Sequence, residues 1–175
     1  MTHDYDPFRR DLPIIFVSEI TGEPLLISHQ CDSLRRGKPI TDQELMDFAL
    51  DLLIDLYTRQ GLKIKSTNRI ANFEYPNLVL QNKKGTVFFI AIKAVRFPIN
   101  PLSVSKEEFE PLVEFAQASG AVPLFGPLSF GCGSNAKSFH DLSKTVSGGD
   151  YFVAFRGLQR LEKFIGDAAI DLTET

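Results

Sequence analysis

Lys93 stands in the run Val87-Phe88-Phe89-Ile90-Ala91-Ile92-Lys93-Ala94, the one charge among apolar neighbours. A lysine placed there needs a route to water or a polar partner, so it marks a polar cleft. Asn77 follows Pro76 and offers a neutral carbonyl oxygen, and Glu74 precedes it by three residues. Glu44 lies further back in the chain, in the pattern Thr41-Asp42-Gln43-Glu44. Three of these have a plainer role: Asn77 as a turn residue that opens a strand, Glu74 as an exposed strand-end charge, Glu44 as a helix cap. A second constellation is His29 and Cys31 with Cys132 and His140, a Cys2His2 set acceptable to zinc. Its halves lack the paired short spacings of zinc motifs, and buried free cysteine is common. Ser129 or Ser134 could be combined with His140 and Asp141, and Cys132 with His140, but no Gly-x-Ser-x-Gly elbow presents a serine. Gly131-Cys132-Gly133-Ser134 lacks the downstream Gly-Lys-Ser/Thr of a phosphate loop.

Charge is unevenly distributed. From Arg59 to Arg96 there are eight basic residues (Arg59, Lys63, Lys65, Arg69, Lys83, Lys84, Lys93 and Arg96) against Glu74 alone, a net of +7 inside a chain whose formal net charge is -3. A concentrated basic segment attracts anionic partners such as DNA or RNA, because neutralising phosphates releases counterions. Lysines along a sheet edge that discourage aggregation produce the same pattern.

These residues must be held by regular elements. Thr41-Asp42-Gln43-Glu44 is a capping-box pattern that starts a helix. Leu45, Phe48, Ala49, Leu52, Leu53, Leu56 and Tyr57 continue it at three- and four-residue spacing, and Gly61 stops it. An extended segment begins at Leu62 and Ile64, a second strand runs over Asn77–Gln81, and a third from about Thr86 to Val95 after the turn Lys83-Lys84-Gly85. Alternation puts Ala91 and Lys93 on one face of that third strand and Phe88, Ile90 and Ile92 on the other. Ser105-Lys106-Glu107-Glu108 opens a second amphipathic helix that ends at Gly120. Ala121–Phe130 reads as a strand interrupted or bent by Pro123 and Pro127. A hairpin over 12–28 precedes the core. A short helix at Ala136–Lys144, a late strand at Tyr151–Phe155, a helical end over Leu158–Ile165 and an acidic tail follow it.

The hairpin Tyr75-Pro76-Asn77-Leu78-Val79-Leu80, Lys83-Lys84-Gly85, Val87 to Ala94 resembles that of the PD-(D/E)XK nuclease superfamily. The order helix, strand, strand, strand, helix, strand across Thr41 to Phe130 is similar to that superfamily's core, over about half of the chain. The resemblance implies a restriction-endonuclease-like fold, akin to Holliday-junction resolvases. It would place an Asp after Pro76 and a Glu two residues before Lys93, where this sequence has Asn77 and Ala91; Lys93 keeps the expected identity. In active relatives the carboxylate pair holds magnesium or manganese, and some resolvase-like relatives carry an acidic residue at the first helix, the place of Glu44. Loss of both carboxylates implies a degenerate site with no dedicated metal; Lys93 and Asn77 stand at the motif positions, and Glu74 and Glu44 are the candidate replacements from which the resemblance would assemble a site for a hard cation and its activated water.

At 175 residues, with 43% hydrophobic and 11% aromatic side chains, the chain is expected to form one globular α/β domain over 1-175. It would have a mixed central sheet flanked by helices, a core at 41-130, an N-terminal hairpin and a C-terminal extension over 131-175. Two cysteines imply free thiols in a reducing compartment. No apolar run reaches membrane-span length, and a cytoplasmic protein without a membrane partner is expected. The expected function is a catalytically degenerate nuclease-fold module without a cofactor. It would bind nucleic acid through Lys63, Lys65, Lys83, Lys84 and Arg96, or another protein through its apolar strands. The alternatives are a magnesium- or manganese-dependent nuclease with relocated carboxylates and a protein-interaction or oligomerisation subunit.

Overall fold

A computed structural model of the chain describes residues 16–18, 20–133, 145–161 and 172–173. Among these residues the element order is β1 (Leu26–Ser28), α1 (Asp42–Arg59), β2 (Lys63–Thr67), β3 (Leu78–Gln81), β4 (Val87–Arg96), α2 (Glu110–Ala118), β5 (Val122–Cys132), β6 (Asp150–Phe155) and β7 (Gln159–Arg160). A 3-10 turn at Lys106–Phe109 leads into α2. The fold is mixed α/β, and its mixed sheet has strand order β1-β6-β5-β4-β3-β2, with β7 also on β5. The expected order of helix, strand, strand, strand, helix and strand is present as α1, β2, β3, β4, α2, β5. No helix among the described residues is long and apolar enough to cross a membrane.

The chain divides into two compact units. One is Met1–Phe48 with Ala94–Pro101 and Leu128–Arg156; the other is Ala49–Lys93 with Leu102–Pro127 and Gly157–Thr175. The span 41-130 therefore contributes to both.

In the first unit, β1 and β6 pair antiparallel through Leu26↔Phe152, Ile27↔Tyr151 and Ser28↔Asp150. β6 also pairs with the last part of β5, from Leu128↔Phe155 to Cys132↔Tyr151. The late strand is thus an interior strand between β1 and β5, not an appendage. The described part of the N-terminal hairpin closes at a Val17↔Pro24 bridge and a hydrogen bond from Leu25 N to Phe16 O (2.9 Å), while 12–15 and 19 lie outside the described residues. Its interior is aromatic: Phe48 packs on Phe130 (5.2 Å between ring centres) and on Tyr151 (5.5 Å). The capping box forms as expected, with Glu44 N donating to Thr41 Oγ1 (3.1 Å) and Thr41 N donating to Glu44 Oε1 (3.1 Å).

In the second unit, Ala49, Leu50, Leu53 and Tyr57 of α1 are buried, and Gly61 ends the helix at a φ of 86° that L-residues rarely adopt. β2, β3 and β4 form an antiparallel ladder, with Lys63↔Gln81 and Gln81↔Val87 at one end and Thr67↔Leu78↔Ile90 at the other. Val79, Phe89 and Ala91 from these strands cluster with Phe109, Leu112 and Ala116 from the α2 segment and with Phe125 of β5. The capping box at Ser105 and Glu108 forms.

One expectation is narrowed and another corrected. Of the two alternatives for Ala121–Phe130, interruption does not occur: β5 runs for 11 residues through Pro123 and Pro127. On one edge the strand changes partners around them: Leu124 and Phe125 pair with β7, and Leu128 onward pairs with β6, so neither proline falls within those two registers. Gln159–Arg160 form a strand against β5, where a helical end beginning at Leu158 was expected. Gly157, at a φ of 87°, turns the chain back, and pairing with an available edge overrides the helical spacing of Leu158 and Leu161. Residues 162–165 of that expectation, and the short helix at Ala136–Lys144, lie outside the described residues.

Candidate nucleic-acid interface

Asn77 is completely buried, and its side chain is fully engaged. Its Nδ2 donates to two main-chain carbonyls, Asn68 O (3.0 Å) and Ile70 O (2.9 Å), and its Oδ1 accepts from Ile92 N (2.8 Å). The backbone joins in: Asn77 N donates to Ile90 O (2.8 Å) and Asn68 N to Asn77 O (2.9 Å). The residue therefore ties the 68–72 loop to β4. Two of these bonds need an N–H donor on the side chain, which an ionised aspartate does not have.

Ala91 is also completely buried, within the apolar cluster that includes Phe109, Leu112 and Ala116. A substrate would have to displace that core to reach position 91. Lys93 is half-buried, and its Nζ donates to Ser103 O (2.9 Å). The lysine that sequence reasoning takes as a cleft marker thus finds its polar partner in a backbone carbonyl of the segment before α2.

Glu44 lies in the first unit, where three segments meet on its carboxylate. Arg35 Nη2 reaches Oε1 at 2.7 Å and Ser147 Oγ reaches Oε2 at 2.7 Å, in addition to the Thr41 amide. Partial burial opposes ionisation, but the bonds from Arg35, Ser147 and Thr41 outweigh it and hold the carboxyl at about 2, below its ordinary 4.5. Glu74 is exposed in the loop before β3. Arg96 is half-buried and committed to the α1 start, through Asp42 Oδ1 (2.6 Å) and Ile40 O (2.6 Å).

The four lysines Lys63, Lys65, Lys83 and Lys84 are all exposed. Lys63 and Lys65 lie on β2, the last strand in the sheet order, and Lys83 and Lys84 on the turn joining β3 to β4. The Lys63↔Gln81 pair brings β2 to the foot of that turn. Lys83 also approaches the end of α1, since a Cβ added to Gly61 would lie 3.6 Å from its Cε. The turn is built by Asn82: its Oδ1 accepts from Lys84 N and Thr86 N (both 3.0 Å), and Gly85 takes a φ of 87°. Sequence reasoning identified the lysines but missed Asn82. An Asn at the first position of a Lys-Lys-Gly turn is the signal that could have found it.

Residues 43–161 match a family model described as a domain of unknown function, DUF8840. The chain belongs to that family. The match covers almost all of α1 and runs through β7, so Glu44, the four lysines, Asn77, Ala91 and Lys93 all lie inside the DUF8840 span, while β1 and residues 162–175 lie outside it. No curated protein matches the chain.

The zinc constellation is only partly within the described residues, because His140 is not among them. His29 is buried, packs at a tilt against Phe48 (5.1 Å between ring centres) and accepts the Gly148 N–H at Nδ1 (3.0 Å), the role of a core histidine. Cys31 is half-buried and Cys132 buried, both as free thiols. Among the described residues no group of three His, Cys, Asp or Glu could hold a metal ion. Ser129 is fully buried in β5.

Proposed function

We propose that this DUF8840 chain is a non-catalytic module, built like a PD-(D/E)XK nuclease, that binds nucleic acid along Lys63, Lys65, Lys83 and Lys84. The observation that carries the reading is the pairing of two sealed positions, Asn77 and Ala91, with an exposed lysine cluster on the same ladder of strands. Where a nuclease of that superfamily would need two carboxylates open to metal and phosphodiester, this chain has a satisfied amide and a core methyl. Where a backbone-binding surface needs exposed cations, it has four on one edge strand and one turn.

Fluorescence anisotropy with a labelled 20-nucleotide single strand and the matching duplex, across a salt series, tests the reading. Affinity should fall linearly with salt on logarithmic axes, and each Lys→Ala change should lower the slope by about 1. Magnesium or manganese should produce no cleavage in the same tubes. Metal-dependent cutting, or binding indifferent to salt and to all four lysines, would overturn the proposal.

A second reading, protein docking, is favoured by one observation in the second unit. Tyr75 is 56% exposed and Phe115 41%, and their rings meet edge to face at 5.7 Å. Exposed paired aromatics are common anchors of protein interfaces. Concentration-dependent sedimentation abolished by Tyr75→Ser and Phe115→Ser would support it in the form of self-association.

A further inference from the structure

The face of the β2–β3–β4 ladder that packs on α2 carries rings as well as cations. Val79 and Phe89 look toward α2, since both belong to the cluster with Leu112 and Ala116. Directly opposed residues of an antiparallel pair point the same way, and alternate residues share a face. The registers Ser66↔Val79, Lys63↔Gln81 and Val79↔Phe89 therefore set Lys63 and Ser66 on that face, and Lys65 falls beside Ser66 where the register shifts. β2 stands two strand spacings from β4, about 10 Å. At β4 the face continues into rings: Phe89 packs on Phe115 (5.2 Å between ring centres), and Phe115 on the exposed Tyr75. Three and four positions from Phe115 along its helix stand Pro111, Leu112, Ala118 and Ser119, none of them charged, while Glu110 and Glu114 line a separate cleft with Val113 and Leu161. The loop that presents Tyr75 is fixed from both sides. Phe73 sets its ring on Phe109 (4.9 Å) at a φ of 55°, which residues other than glycine rarely adopt, and Asn77 ties the loop to β4. A ring held in place before its partner arrives loses little entropy on binding.

We infer that Tyr75 and Phe115 form a stacking platform for unpaired bases, so that this surface takes single-stranded nucleic acid in preference to duplex. The inference rests on the nucleic-acid reading above and adds its strand class. Lysines alone do not discriminate, because both forms carry phosphate. A duplex keeps the faces of its bases covered by neighbouring pairs, whereas an unpaired base offers its face to an exposed ring, whatever its identity. Charge favours a nucleic acid over a protein at these rings: Lys63 and Lys65 are exposed on the strand beyond them, and Glu74 is the single acid in the loop 68–77.

The test uses the full chain and compares the labelled 20-nucleotide single strand with its duplex and with an abasic strand of the same length. Tyr75 is more than half exposed, so its replacement leaves the core untouched. Tyr75→Leu should weaken single-strand binding roughly fivefold to hundredfold without changing the salt slope, whereas Tyr75→Phe, which keeps a ring, should bind as the parent does. Duplex and abasic strand should bind all three proteins alike. Equal affinity of the parent and Tyr75→Leu for the single strand, with the lysines still setting the salt slope, would overturn the inference and leave the reading beneath it intact. Binding that ignores salt, or no binding at all, would defeat the two together. Self-association that Tyr75→Ser and Phe115→Ser abolish and that the single strand does not displace would give the rings to a protein interface, and would overturn the inference as well.

Discussion

At Asn77 the difference between an amide and a carboxylate is a difference between two hydrogen bonds and two repulsions. Asn77→Asp would set an acceptor against Asn68 O and Ile70 O inside a fully buried site. The expected cost at pH 7 is on the order of 3 kcal/mol, read as a lower urea midpoint. Burial against two carbonyls raises the new carboxyl's folded pKa above its unfolded value, so the loss is full above the folded pKa and shrinks as pH falls through it. A deficit that stays constant between pH 7 and pH 4 would contradict this account. Glu44 has the opposite sign. Its folded carboxyl lies at about 2 against an ordinary 4.5, so its contribution is present above pH 4.5 and is lost as pH falls toward 2. Glu44→Gln should therefore cost roughly 1–2 kcal/mol at pH 7, and the gap to the parent should close over that acidic window in urea titrations. Both residues were legible as singular positions, because each breaks a pattern or completes one. Their partners were not, since Ser147 lies 103 residues from Glu44 and no local rule links the two.

Elements with a local signature could be read directly. α1 has its capping box and its Gly61 stop, and β3 and β4 are apolar runs on either side of a Gly-containing turn. Thr41→Ala should cost about 1 kcal/mol by removing the cap, seen as a lower melting temperature. Gly85→Ala should cost roughly 1 kcal/mol, because the turn holds that residue at a φ of 87°. In the second case the lysine-bearing turn is deformed as well, so polyanion binding should weaken along with stability. β7 was misread for an equally physical reason. Leu158-Gln159-Arg160-Leu161 has the spacing of a helix, and only the free edge of β5 at Leu124 and Phe125 makes it a strand. The sealing of Ala91 was hidden in the same way: alternation places it on the face of Lys93, but only α2 decides that this face is core there and not cleft.

For the whole molecule, the +7 segment and the acidic remainder were visible in the sequence, and the structure sorts the basic residues by task. Lys93 and Arg96 are engaged internally, at Ser103 and at Asp42 and Ile40; Arg59 and Arg69 pair with Asp55 and Asp51 on α1; and Lys63, Lys65, Lys83 and Lys84 lie exposed on β2 and the β3–β4 turn. Removing the two engaged cations should consequently act differently from removing the exposed four. Lys93→Met and Arg96→Met should change the unfolding midpoint more than the salt slope of nucleic-acid binding, whereas alanine at the four lysines should do the reverse. Equal slope changes from the two groups would refute that division of labour. Composition could not show the two compact units, because each draws on three stretches of the chain separated by the other.

The pairing of β1 with β6 carries a consequence in time. Ser28 and Asp150, bonded at 2.6 Å, are 122 residues apart. β1 must therefore wait on the order of ten seconds of synthesis before its ladder partner exists. Closing so long a loop is entropically costly and comes before any reward from the contact, so β1 should be among the last strands to dock. Until then Leu25 and Leu26, both still partly exposed in the finished protein, are unpaired apolar residues on a nascent chain. Hydrogen exchange during refolding should show Ile27 protected later than Leu80, whose ladder closes over a six-residue separation between Gln81 and Val87.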